Sequence, residues 1–112
     1  MPNIPDTRTE KQIQAAILAE LARRNIPHTV SDVGLMRNKA GVFKFKRGTQ
    51  GWPDISAVLP DGKFFGIEVK SAKGEVSTRQ KAVHVRLEAY GAIVLVVRSA
   101  YEVYEFLEAY GK

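Results

Sequence analysis

The stretch from Asp54 to Lys70 constrains this chain most, because its loop length and its hydrophobic alternation specify the same hairpin. Residues Ile55–Leu59 and Phe64–Lys70 read as strands, and Pro60-Asp61-Gly62 between them is a turn sequence. Proline suits the first turn position, and glycine accepts the left-handed conformation that closes a short hairpin loop. Pairing Leu59 with Lys63 then puts Asp54 directly opposite Glu68, Ser56 opposite Gly66 and Val58 opposite Phe64. Lys70 follows Glu68 by one strand period and projects from that side too. The other side carries Ile55, Ala57, Leu59, Phe65, Ile67 and Val69, all apolar. One side is therefore core, and the opposite side gathers two carboxylates and a lysine at one end.

Around this hairpin the chain reads as a mixed α/β domain. Ile13, Ala16, Ile17 and Leu21 recur at helical spacing and predict a helix from about Thr9 to Arg24, ended by Asn25-Ile26-Pro27. Thr7 with Glu10 fits a capping box. From His28 to Lys46 the pattern is extended. Val30, Val33, Leu35, Val42, Phe43 and Phe45 suggest one or two strands, interrupted near Asn38-Lys39-Ala40-Gly41. Ser77 with Gln80 caps a second helix whose buried stripe is expected to be Val83, Leu87 and Tyr90, with Gly91 as its stop. The run from Ala92 to Val97 reads as a strand covered on both faces, and Ser99 with Glu102 starts a last helix to about Ala109. The predicted order is α-β-β-β-α-β-α, a central mixed sheet flanked by helices.

Composition narrows the chemistry. A chain of 112 residues is expected to form one domain. Its 45% hydrophobic and 26% charged residues are an ordinary globular balance. There is no cysteine, which excludes disulfides and thiolate zinc sites, and His28 and His84 are the only histidines. Any metal is expected to take oxygen ligands, which suits Mg²⁺ or Mn²⁺. The opening residues lack an apolar signal core and no run approaches membrane-spanning length, so a soluble, cytoplasmic protein is expected. Net charge is +5, and between Asp32 and Asp54 lie Arg37, Lys39, Lys44, Lys46 and Arg47 with no acid among them. Such a segment reads as a solvated loop or, leading into a carboxylate cluster, as a phosphate-binding surface.

Carboxylates facing each other across a hairpin repel and need an offsetting charge. A divalent cation supplies it directly. Lys70 supplies it in part, which leaves a functionally silent salt-bridge cluster as the alternative. Against that alternative, Glu68 and Lys70 put charge into a strand whose alternate residues are core, and Pro53-Asp54 stands at the hairpin mouth. Departures from local hydrophobic logic are often functional.

Pro53-Asp54 followed by Glu68-Val69-Lys70 matches the PD-(D/E)XK nuclease signature, and GWPDISAVLPDGKFFGIEVKSAKGEVSTRQ resembles the VRR-NUC (virus-type replication-repair nuclease) branch. The resembling features are Glu10 on the first helix, Gly51 with Pro53-Asp54, Glu68 with Lys70, and Gln80 opening the second helix. They span nearly the whole chain and look like a stand-alone, phage-type member. The resemblance implies a PD-(D/E)XK-like fold and phosphodiester hydrolysis with Mg²⁺ or Mn²⁺. It implies that Asp54, Glu68 and the Val69 carbonyl ligate the metal and that Glu10 adds a carboxylate directly or through water. Lys70 would orient the attacking water and stabilise phosphate charge, with Gln80 beside the site.

Capping alone would explain Glu10 and Gln80 without function. His84 shares the face of Gln80 and reads as a structural histidine, and Trp52 as packing beside the site. Lys73, Arg79 and Lys81 flank the site as phosphate contacts or as solvated surface. Tyr101, Tyr104 and Phe106 read as core or as a dimer contact. The leading expectation is a homodimeric endonuclease on branched DNA, similar to Holliday-junction resolvases. The alternatives are a flap or nicking nuclease of phage replication or repair, or a non-catalytic DNA-binding module with the nuclease fold.

Overall fold

The computed structural model describes residues 8–31, 33–46 and 48–111, with positions 33–38 and 42–46 described by their backbone. The first helix, α1, spans Glu10–Arg23. Its N-cap is Thr9, whose hydroxyl accepts from Gln12 N at 3.2 Å while Gln12 Oε1 accepts from Thr9 N at 3.0 Å. The capping box is thus Thr9 with Gln12 and not Thr7 with Glu10, and Thr7 lies outside the described residues. Thr9-Glu10-Lys11-Gln12 satisfies the same pattern two residues later, and its use releases the Glu10 side chain for another partner. Ile13, Ile17 and Leu21 are fully buried along one stripe. Asn25, at φ 57°, turns the chain out of the helix.

Three strands, one more than the extended pattern suggested at most, lie between α1 and the central hairpin. Strand β1 spans His28–Val30, β2 spans Val33–Asn38 and β3 spans Gly41–Lys46. β1 pairs antiparallel with β4 (Ile55–Val58), which pairs antiparallel with β5 (Phe64–Val69). A helix, α2 (Thr78–Ala89), leads to β6 (Ile93–Val97), which lies parallel to β5. Among the described residues the sheet order is β1-β4-β5-β6, while β2 and β3 form a separate two-stranded ribbon. A last helix, α3, spans Ala100–Ala109. The segment from His28 to Lys46 was ambiguous because two short alternating strands and an edge strand share one composition, and only pairing separates them.

The hairpin closes with the register that its loop length requires. Leu59 N donates to Lys63 O at 2.9 Å, Gly62 stands at φ 92°, and Ile55 pairs with Ile67. Ile55, Ala57, Leu59, Phe65, Ile67 and Val69 are all buried and meet Ile13, Ile17, Leu21, Val103 and Leu107 from α1 and α3. Phe65 stacks on Phe106 with ring centroids 4.9 Å apart.

The second face of the sheet is covered differently. α2 lies there, against Glu68, and His84 is its buried residue. Val83 and Leu87 are half-buried, and Tyr90, expected in the buried stripe, is 93% exposed. The reason is the surface beneath: α2 rests over the carboxylate end of the hairpin, so its inward positions are polar. Tyr90 falls at the C-cap, where Gly91 at φ 94° ends the helix. β6 is an edge strand with Val96 exposed, so the expected burial on both faces is incomplete. Tyr101 and Tyr104 are exposed and stacked on each other, outside the core. No described helix is long and apolar enough to cross a membrane.

Candidate active site

The pairing of Ile55 with Ile67 brings Asp54 and Glu68, each one position outward, to face each other at the hairpin mouth. Asp54 is also fastened to β5: its Oδ2 accepts from Val69 N at 2.8 Å. Its backbone is held from the other side, where Ser31 N donates to Asp54 O at 2.8 Å and the Ser31 hydroxyl donates to Pro53 O. The chain enters this corner through Gly51, which stands at φ 88°, a left-handed conformation that a side chain resists. A Cβ there would also come within 3.0 Å of Arg79 and Val83 on α2.

Glu68 is only 1% exposed, an unusual place for a carboxylate in the middle of a strand. Burial of this group is tolerable only with partners. Gln80 Nε2 donates to Oε2 at 3.0 Å, His84 Nε2 lies 3.3 Å from Oε1, and Lys70 Nζ is 4.0 Å from Oε2. Gln80 does two jobs, because its Oε1 accepts from Ser77 N in the capping box while its amide nitrogen serves Glu68. Burial pushes the His84 imidazole below its ordinary pKa, with Lys70 acting in the same direction and Glu88 and Asp54 opposing.

The segment after Lys70 is tied down at both ends. Glu10 Oε2 accepts from Ser71 N at 3.1 Å, which brings the exposed start of α1 to the residue next to Lys70. Arg98 donates from Nη1 to Ser71 O and to Gly74 O, both at 2.6 Å. Glu10 therefore stands beside the site as an anchor of the loop and not as part of a helix cap. Arg98 carried no signal in the sequence, since nothing local to it marks a carbonyl clamp. His84 did carry one, lying one helical turn after Gln80.

Lys73 is exposed on this loop, and Lys39 is exposed in the turn of the ribbon. The side chains of Arg37, Lys44 and Lys46, and all of Arg47, lie outside the described residues. Trp52 packs beside the site: its Nε1 donates to Ser56 Oγ at 2.8 Å and its ring meets Phe64 edge-on at 5.6 Å.

Among the described residues no three His, Cys, Asp or Glu gather as a closed metal cage. What the hairpin offers is a pair of hard oxygen donors, Asp54 and Glu68, with the Val69 carbonyl next in the chain. That set fits a divalent cation such as Mg²⁺, which takes one or two carboxylates and keeps several waters.

Gly66, opposite Ser56, is where packing against this corner is tightest. A Cβ there would lie 2.8 Å from Pro53 Cγ and 3.2 Å from Pro53 Cβ. Pro53 is fully buried and its ring cannot swing away. Gly66→Ala is expected to cost about 1–3 kcal/mol by overpacking, read as a lowered midpoint in urea unfolding. An unchanged midpoint would show that Pro53 and the neighbouring Asp54 move freely.

No family model matches the sequence, and no curated protein matches it. In structure, the chain is similar to a solved chain described as a VRR_NUC domain. The two superpose with a TM-score of 0.63 at 23% identity, over 92% of this chain and 99% of the other. The chain therefore shares the α/β fold of that VRR_NUC domain, the family that its motifs resemble.

Proposed function

We propose that this chain is a single-domain VRR-NUC nuclease that hydrolyses phosphodiester bonds in DNA with Mg²⁺ or Mn²⁺. The observation that carries the reading is the buried Glu68 facing Asp54 with the Lys70 ammonium beside it, on this fold. Asp54, Glu68 and the Val69 carbonyl would hold the cation, and Glu10 would contribute through water, since its carboxylate already binds Ser71 N. When bound, the cation supplies Lewis acidity toward the phosphate and makes water a usable nucleophile near neutral pH.

The protein's own groups do the rest. Lys70, half-buried and leaning on Glu68, presents a fixed positive charge where the attacking water and the phosphate meet. Gln80 keeps Glu68 from turning away. DNA would be held by Arg37, Lys39, Lys44, Lys46, Arg47 and Lys73. The ribbon register supports a shared role, because Arg37 pairs with Val42, and positions 42, 44 and 46 alternate onto one face with it. A two-stranded ribbon outside the main sheet is also of a size that the DNA major groove admits.

The preferred substrate in this reading is branched DNA, cut by a cytoplasmic homodimer, as in the junction resolvases that stand-alone members resemble. Labelled four-way junction, flap, single-stranded and linear duplex DNA incubated with Mg²⁺, Mn²⁺ or EDTA test it. Paired symmetric incisions in the junction, absent with EDTA, are expected. Cutting of flaps alone would favour a flap nuclease, and equal cutting in EDTA would remove the metal from the mechanism.

A further inference from the structure

We infer that His84 is a positioning residue, whose ring N–H holds the Glu68 carboxylate in its metal-ligating orientation. The inference rests on the metal-dependent reading above and extends it to a residue outside the nuclease motif. Three observations support it. The first is the location. α2 buries a histidine where an amphipathic helix would place a leucine or valine, and the neighbouring apolar positions Val83 and Leu87 are only half-buried. An aliphatic residue would fill that space at lower desolvation cost, so the polar edge of the ring is what the position uses.

The second is the division of labour around Glu68. Gln80 and His84 lie one helical turn apart on the same face, and each takes a different oxygen of the carboxylate. Donors on both oxygens fix the plane of the carboxylate more tightly than a donor on one. A ligand with a fixed plane presents its remaining lone pairs to one place, the side shared with Asp54. The third is the geometry of the contact. A carboxylate only accepts, so Nε2, the ring nitrogen 3.3 Å from Oε1, must carry a hydrogen. Donors of this kind behind a metal ligand typically change metal affinity or activity about 10–100-fold when removed.

The test uses His84→Gln and His84→Met, side chains of similar length that differ in having a donor. Mn²⁺ binding to the whole chain is followed by electron paramagnetic resonance, and cleavage is followed with kcat and KM separated. His84→Met is expected to weaken Mn²⁺ binding about 10–100-fold and to lower kcat with KM for DNA unchanged, and His84→Gln to restore most of both. Wild-type Mn²⁺ affinity in His84→Met would overturn the inference. No Mn²⁺ binding by the wild type would instead overturn the metal-dependent reading beneath it.

A measurement on the unaltered chain decides the point even if His84→Met does not fold. In nitrogen-15 spectra at about pH 8, where an ordinary histidine is neutral, the imidazole signals come from His28 and His84 alone. His28 Nδ1 lies 2.7 Å from the Ile26 carbonyl, which requires its hydrogen on Nδ1. The two histidines should therefore show opposite tautomers. An Nδ1–H form for His84 would overturn the inference.

Discussion

Asp54→Asn and Lys70→Ala are each expected to lower DNA cleavage by at least about a hundredfold, the scale of losing a charge placed at the reacting phosphate. Their side effects differ, and the difference makes the pair informative. Asparagine can still accept from Val69 N, the bond that fastens Asp54 to β5, so the corner keeps its shape. It also removes one of two facing carboxylates, which relieves cross-strand repulsion. Asp54→Asn should therefore melt no lower than the wild type and bind DNA at least as tightly, since a negative charge near phosphate has gone. Lys70→Ala leaves Glu68 buried with Gln80 and His84 but without a nearby ammonium, so a small loss of stability should accompany the loss of cleavage. Gel-shift affinity, thermal unfolding and cleavage measured on the same samples check all three statements. Full cleavage in either variant would sink the assignment of the site.

Phe65→Ala should have the largest effect on stability. Phe65 is completely buried in the central strand β5, paired with Ala57 on one side and Ile93 on the other, and stacked on Phe106 of α3. Truncation removes its apolar burial and leaves a cavity between sheet and helix, at a cost of about 3–5 kcal/mol. Domains of this size have about 5–15 kcal/mol in total, so the variant should be partly unfolded at warm temperatures. Urea unfolding gives the loss directly, and Phe65→Leu should recover much of it. A loss of about 0.5 kcal/mol or less, that of an ordinary surface change, would mean that α3 does not pack on the sheet as described. Because β5 also carries Glu68 and Lys70, cleavage by Phe65→Ala should fall with the folded fraction and recover on cooling.

Individual residues show what could be read before the fold was known. The facing of Asp54 and Glu68 followed from strand period and loop length, which are local properties of one continuous segment. The six apolar residues of the hairpin's inner side were legible for the same reason, and all are buried. The inward face of α2 was not. A hydrophobic stripe of Val83, Leu87 and Tyr90 presumes an apolar partner, and the partner here is a carboxylate end of a sheet. Glu10 was ambiguous because Thr7-x-x-Glu10 and Thr9-x-x-Gln12 both satisfy the capping pattern, and only the helix start at Glu10 selects between them.

By itself, then, the amino-acid order determined the hairpin, its register, the core side of the sheet and the gathering of Asp54, Glu68 and Lys70 on the other. These depend on neighbours within one turn or one strand pair. The tertiary structure alone decided what each of those side chains touches. It put Gln80 and His84 on the two oxygens of Glu68, Glu10 on Ser71 N, and Arg98 on the carbonyls of Ser71 and Gly74. These contacts join α1, α2 and the end of β6 to the hairpin across the two faces of the sheet. Their geometry comes from how the helices pack, which no local periodicity encodes.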